Sequence, residues 1–403
     1  MNSPIRNSFF LLAVAVIVCL CPRAAGAGGG RAALFAAEFI FPLHPQHNHA
    51  PGIVECPNGD LLASWYRGSG ERKADDVAVY GARLKKGSRQ WSEAFLLADT
   101  PGFPDGNPAL HVDAKGRLWL FWPIVLANTW ESCLTQYRIS ENYQAKGPPK
   151  WTWQGTLFLQ PRDFERKMRA GWEHRRTLSD QPPEDFATPA LVEKVKALIA
   201  DKLASRLGWQ VRCKPTVLPS GRMLLPLYSD TFSVGLMAIT DDGGQTWFAS
   251  EPLAGFGNIQ PAVLRRDNGT LVAYMRENGP LLKIRVAESR DDGVTWGPVG
   301  VCDLPNPGSG LDGVRLRNGH WVLIYNDTKE ERNSLAVSLS DDEGATWKWT
   351  RHLEHAPTGS YHYPAIIQGK DGRIHAVYSY FVQGGKSMKH AAFSEDWIKQ
   401  GDR

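Results

Sequence analysis

Forty-six Lys and Arg against 42 Asp and Glu leave this 403-residue chain with a formal charge of only +4. That balance, with no basic run, excludes the usual electrostatic footprint of a nucleic-acid-binding protein. Fifteen tryptophans are a high count; in a repeat protein most serve as packing pegs, although carbohydrate sites also stack sugars on aromatic faces.

The chain opens with Arg6, an apolar run from Phe9 to Leu20 and an Ala25-Gly26-Ala27 site. This reads as a secretory signal over residues 1–27, too short to span a bilayer. A secreted or periplasmic protein with no membrane span in its mature part, residues 28–403, is expected. Cys19 and Cys21 fall in the signal, and Cys56, Cys133, Cys213 and Cys302 are widely scattered. They form neither a disulfide framework nor a zinc spacing, so buried free thiols are expected. No metal or other cofactor is implied, and a monomer is expected.

Leu34 to Phe41 reads as a strand ahead of a series of repeats. Each repeat has an apolar run, usually beginning near a proline, then a turn glycine, then a second apolar run. The turn glycines are Gly59, Gly116, Gly221, Gly269, Gly319 and Gly372, spaced by 57, 105, 48, 50 and 53 residues. A meander of about forty residues cannot bury both faces alone, so copies must stack beside one another. Six four-stranded sheets arranged radially make an all-β, six-bladed propeller. The strand at Leu34 to Phe41 would complete the sixth sheet and leave no open edge.

The one long gap holds a helical insertion, at about residues 155–210. Thr188 can cap a helix with Pro189 in its first turn and Gly208 just past its end. Leu191, Val195, Leu198, Ile199 and Leu203 share one face of it. The insertion either lids the mouth of the ring or pads its side.

Three repeats carry the same hairpin, at Thr240 to Trp247, Ser289 to Trp296 and Ser340 to Trp347, fitting Ser/Thr-x-Asp-x-Gly-x-Thr-Trp. The aspartate can bond turn amides, the glycine takes a conformation denied to side chains, and the tryptophan packs between sheets. These acids are structural. Candidate functional residues lie instead where the first strand of each repeat begins, because in a propeller those ends converge on one mouth. They are His49, Asn107 with Asp105, Lys214 with Arg212, Gln260 with Asn258, Asp312, and Tyr363 with Tyr361.

The three hairpins are those called Asp boxes, or bacterial neuraminidase repeats, and after Phe41 the chain resembles the sialidase superfamily. The resemblance implies a glycosidase with three arginines for the substrate carboxylate, a tyrosine nucleophile with a glutamate partner, and a loop aspartate as acid–base. Arg276 and Arg332 match two of the arginines, and His49 stands where the third belongs. The tyrosine falls on Tyr363, or on Tyr361 with a two-residue slip. The loop acid is Asp75, with Asp76 and Glu71 as rivals. Gln260 occupies the glutamate position and cannot accept a proton, which leaves an ordinary phenol near pKa 10 without its base; His49 or His362 is the candidate replacement. The implied activity is hydrolysis of a terminal acidic sugar, sialic acid or similar, from a glycan. The alternatives are a lyase on uronate-containing polysaccharide and a non-catalytic glycan-binding propeller.

Overall fold

The computed structural model describes residues 33–175 and 189–402; the expected signal segment and the cap Thr188 lie outside them. The fold is mostly β. Apolar runs become strands of antiparallel meanders because the six turn glycines hold φ between 75 and 92°, a region that side chains resist.

Sheet 1 runs in chain order through His47–Glu55, Leu61–Gly68, Ala78–Leu84 and Phe95–Ala98. Sheet 3 begins at Asn258–Arg265, sheet 4 at Asp312–Arg315 and sheet 5 at Ser360–Gln368, each with four strands. In sheet 5 the outermost strand is Phe35–Phe39, paired antiparallel with Gly385–Phe393, so the two ends of the described chain are joined by one ladder. Sheet 2 departs from the expectation of separate four-stranded sheets, for it has nine strands. Its early arm runs from Ala109–Val112 to Trp153–Thr156 and its late arm from Thr216–Val217 to Phe248–Ala249. The short strand Trp209–Val211 zips them together: it pairs antiparallel with Met223–Ser229 and makes one parallel bridge, Trp209 to Leu134. Thr135 Oγ1 donates to the Trp209 carbonyl at 2.7 Å and reinforces the junction.

The core is a series of apolar layers between neighbouring sheets. Leu62, Val79, Leu120 and Trp122 fill the space between sheet 1 and the early arm, and Trp119, Phe121, Leu225 and Leu236 fill that between the two arms. Further layers lie between the late arm and sheet 3, sheets 3 and 4, and sheets 4 and 5. The last joins sheet 5 back to sheet 1 through Val377, Met388, Ile53 and Trp65.

The Asp boxes are built as their composition requires. Thr240, Ser289 and Ser340 donate their hydroxyls to Asp242, Asp291 and Asp342 at 2.8, 2.8 and 2.7 Å. Each aspartate then accepts the backbone N–H of the box threonine at Thr246, Thr295 or Thr346. A Cβ at Gly244 would come within 2.3 Å of Trp119 in the neighbouring arm, so a glycine there lets the box sit on the adjacent ring.

Among the described residues, three helices lie between Trp153–Thr156 and Trp209–Val211: α1 (Phe164–Arg175), α2 (Pro189–Ala200) and α3 (Lys202–Arg206). The expected single helix stops at Ala200, because Asp201 accepts from the Leu203 and Ala204 amides and caps a new one. Val195, Leu198 and Ile199 face the layer between the two arms, with Phe164 and Met168 of α1. Leu203 does not share that face; it is exposed on α3. The helices pad the side of sheet 2, and none contributes to the cavity described below. Among the described residues no helix is long and apolar enough to cross a membrane. Cys56, Cys133 and Cys213 are buried free thiols and Cys302 is half-buried.

The Phe35–Phe39 ladder carries a buried polar chain. Glu38 faces His390 Nδ1 at 2.7 Å, and His390 Nε2 lies 3.0 Å from His375 Nδ1. Burial, then His390, pushes His375 from its ordinary 6.5 down to about 4. The unfolded chain therefore takes up a proton below pH 6.5 that the folded chain refuses until near pH 4. Stability from this group is present at neutral pH and falls as pH drops through that window, by about 2 kcal/mol at pH 5. His375→Gln is expected to shrink the difference between urea midpoints at pH 7 and pH 5; an unchanged difference would assign the acid sensitivity elsewhere.

Candidate active site

One backbone device recurs where the first strands begin. Ala50, Asn107, Gln260 and Tyr363 each precede a proline, and their φ values are 52, 31, 58 and 54°. Pairing slips at three of these points, between His49 and Gly52, Ile259 and Ala262, and His362 and Ala365. Proline has no N–H to give a ladder, so a bulge there sacrifices no donor and turns the preceding residue off the sheet. A left-handed non-glycine residue costs roughly 1–3 kcal/mol, and such outliers gather at functional sites.

Three of these residues, Asn107, Gln260 and Tyr363, line a cavity of about 140 Å³ together with His49, Tyr66, Glu71, Trp130, Tyr228, Asp230 and Arg276. The cavity lies at the sheet ends opposite the Asp boxes. In sheet 3, Ile259 pairs with Arg276 at one end, whereas Leu271 pairs with the box residue Ser289 at the other.

Tyr363 is the centre of the site. Its hydroxyl accepts from Arg276 Nη1 at 2.7 Å and from Gln260 Nε2 at 3.3 Å. The guanidinium carbons of Arg212, Arg332 and Arg276 stand 5.2, 5.7 and 5.9 Å from its ring centre, within cation–π range. Burial by itself raises this phenol, but Arg276, Arg332 and the Gln260 hydrogen bond outweigh it and hold Tyr363 below the ordinary tyrosine range. Arg212 also holds the backbone: its Nη1 and Nη2 donate to the carbonyls of Pro51 and Pro364, the prolines of two bulges, at 3.2 and 2.8 Å. Arg332 Nη2 donates to the Gly308 carbonyl at 2.7 Å. Arg276 Nε and Gln260 Oε1 are buried with no partner among the described residues, so both retain hydrogen-bonding capacity.

Both histidines are buried beside this tyrosine. His49 lies 4.3 Å from the Tyr363 ring centre, and His362 stacks edge-on against His49 at 4.8 Å. Burial, followed by neighbouring positive groups, pushes both well below 6.5, so they are neutral imidazoles at physiological pH. His49 Nδ1 is 2.9 Å from Ser379 Oγ.

Other expected site residues have different partners. Tyr361 packs on Tyr380, ring centres 5.0 Å apart, in the layer between sheets 4 and 5; of the two candidates it is Tyr363, without the slip, that lines the cavity. Lys214 Nζ binds both Asp312 oxygens at 2.9 and 2.8 Å, and Asp312 Oδ2 also accepts the Ile366 amide. That pair ties first strands together and does not line the cavity. Asp75 accepts from Asn128, and Asp76 caps Ser69 through its amide and hydroxyl. Glu71, the remaining rival, lines the cavity and accepts from Tyr66 Oη at 3.1 Å with His47 Nε2 at 3.3 Å. The close His47 and the Tyr66 hydrogen bond hold it below the usual carboxylate range, against its burial. Asn107 Nδ2 donates to Tyr228 Oη at 3.1 Å and to Gln210 Oε1 at 3.4 Å. Asp105 is buried under Thr100 and Trp122 and pushed up to about 6 by that burial. No cluster of three His, Cys, Asp or Glu suited to a metal occurs among the described residues.

Tyr66, Trp130, Tyr228 and Asp230 were not singled out by the reading of first strands. A signal existed for two of them. Tyr66, Tyr228 and Arg276 all stand seven residues after their turn glycines, as does Ser379. Second strands of four of the six repeats therefore deliver side chains to or beside the same mouth.

Comparison with known proteins identifies the family and the fold. The BNR repeat-like domain family matches residues 59–376, and the chain belongs to that family. It is a sialidase-like BNR-repeat protein. An anhydrosialidase from Macrobdella decora is 23% identical over 191 residues, 42% of this chain; the match spans only a quarter of that relative. A Dyadobacter fermentans protein of unknown function superposes with a TM-score of 0.66 at 17% identity, over 89% of this chain and 97% of its own. The NanB sialidase of Streptococcus pneumoniae gives a TM-score of 0.64 at 13% identity, over 90% of this chain and 71% of its own. At these identities the structures share the fold.

The arginine cage makes a prediction that needs no substrate. Difference absorbance of wild type against Tyr363→Phe should show one phenol ionising below the ordinary range. Arg276→Ala or Arg332→Ala should raise its midpoint by on the order of one pH unit or more. A midpoint unmoved by either change would mean that the guanidinium groups do not act on Tyr363.

Proposed function

We propose that the chain is a six-bladed propeller acting as a sialidase-like exo-glycosidase on a terminal acidic sugar. The two arms of sheet 2 are two blades joined by Trp209–Val211, and residues 1–27 direct export. The observation that carries the reading is the Tyr363 hydroxyl held by Arg276 and Gln260 inside a cage of three arginines. A sialidase needs a phenolate and normally obtains it with a carboxylate base. Here the amide of Gln260 donates to the oxygen, and the positive groups favour the ionised phenol, so a fixed electrostatic field takes over the work of the base. The substrate carboxylate sits on Arg276 and Arg332, whose planar forks suit it. Trp130, with the Arg72 guanidinium 5.3 Å from its ring centre, borders the space a sugar would occupy.

The test is release of free acidic sugar from sialyllactose and from an aryl sialoside. Tyr363→Phe should lower turnover by about 10³-fold or more while leaving the thermal midpoint nearly unchanged. Binding without product from either substrate would place the chain among non-catalytic glycan receptors.

A second reading has support from one observation, the neutral His49 ring against Tyr363. A tyrosine–histidine pair can move protons for β-elimination on a uronate while Gln260 and arginine neutralise its carboxylate. The readings give opposite signs for Gln260→Glu. The hydrolase gains a general base and turnover rises; the lyase sets a second negative charge against its substrate and binding falls. An unsaturated, ultraviolet-absorbing end group released from a uronate polysaccharide would establish the lyase.

A further inference from the structure

We propose that Asp230 is the proton donor and acceptor of this site, in place of the loop acid near residue 75; this rests on the glycosidase reading above. Of the three loop candidates, Asp75 is held by Asn128 and Asp76 is spent on the Ser69 cap. Glu71 reaches the cavity, but Tyr66 and His47 stabilise its anion and make it a poor acid. Asp230 lines the same cavity as Tyr363 and Arg276, directly after Met223–Ser229. Its Oδ2 accepts from Gln210 Nε2 at 2.8 Å, and Gln210 is fully buried and itself held by Asn107. Oδ1 makes no hydrogen bond among the described residues, so one oxygen is anchored and the other is free to carry a proton. Burial raises the Asp230 carboxyl above the ordinary aspartate range, despite the lowering effect of Arg276. That direction suits a group that must begin protonated.

The Tyr363 phenolate forms a bond to the anomeric carbon as the bond from that carbon to the leaving oxygen breaks, and the Asp230 proton goes to the leaving oxygen. The Asp230 carboxylate then takes a proton from water, whose oxygen attacks the anomeric carbon and releases the phenolate.

The experiment compares Asp230→Asn with wild type on sialyllactose, which has a poor leaving group, and on 4-methylumbelliferyl sialoside, which has a good one. Loss of a general acid should lower kcat/KM on sialyllactose by about 10²–10⁴-fold and on the aryl sialoside by far less. In Asp230→Ala, added azide should restore turnover of the aryl sialoside and yield the glycosyl azide; thermal midpoints verify that both variants fold, and this second variant decides the matter if the first does not. Equal losses on both substrates, a rise in KM alone, or the leaving-group pattern appearing in Glu71→Gln instead would overturn the assignment. Wild-type inactivity on both substrates would defeat the glycosidase reading itself, a separate outcome.

Discussion

Each sheet here has two apolar faces, and no sheet can cover its own. Burying both is the constraint on which the rest of the structure depends. It places a layer of aliphatic and aromatic side chains between every neighbouring pair, including the pair formed by the last sheet and the first. At roughly 25 cal/mol per Å² of apolar area, such layers dominate the favourable side of folding. The Phe35–Phe39 strand answers a different demand, since without it Gly385–Phe393 would present an unpaired edge. The Asp boxes are the fine adjustment: a glycine at 244 or 344 lets backbone press against Trp119 or Tyr274 of the neighbouring unit.

Stacking sheets in this way brings the start of every first strand and the end of every second strand to one mouth. The site is then made by small departures from regular pairing. At Gln260 and Tyr363 the bulge before a proline turns the side chain into the cavity, at a cost in backbone strain that the packed sheets on either side must offset. Arg212 links two such bulges through the Pro51 and Pro364 carbonyls and also faces the Tyr363 ring. Support and electrostatics thus come from one residue, so a change at Arg212 alters shape and charge together.

The electrostatic arrangement explains how this site tolerates a glutamine where a carboxylate is expected. Where a glutamate would take the proton of Tyr363 as a base, the positive field here favours the phenolate without one. With Gln260 the field is undiluted, and both neighbouring histidines are neutral because burial disfavours their charged forms. The site is consequently rich in positive charge around one phenol and carries its acidic groups, Glu71 and Asp230, on the side of sheet 1 and the late arm. A ligand with one acidic end and one neutral, hydroxylated end matches that division.

Much of this was readable from residues alone. The turn glycines, the three boxes and the prolines ahead of first strands have local causes: positive φ, amide capping and a missing N–H. Those causes sit within a few residues of their effects, so spacing along the chain was enough to pick out Tyr363, Gln260 and Asn107, whereas Arg276 and Arg332 came from the resemblance to the sialidase superfamily. Other outcomes depended on neighbours distant in sequence. Tyr361 and Tyr363 differ by two positions, but only the bulge between His362 and Ala365 decides that the first is core and the second faces the cavity. Lys214 and Asp312 occupy matching strand positions, and although they stand 98 positions apart the fold brings them together as a closed ion pair. Asp75, Asp76 and Glu71 are equivalent as text, and hydrogen bonds to Asn128, Ser69 and Tyr66 assign each a different state. The sequence by itself determined which side chains the repeats carry and at what intervals. Which of them share a cavity, and how strongly each holds its proton, was decided by tertiary packing, because desolvation and the field of nearby charges act through space rather than along the chain.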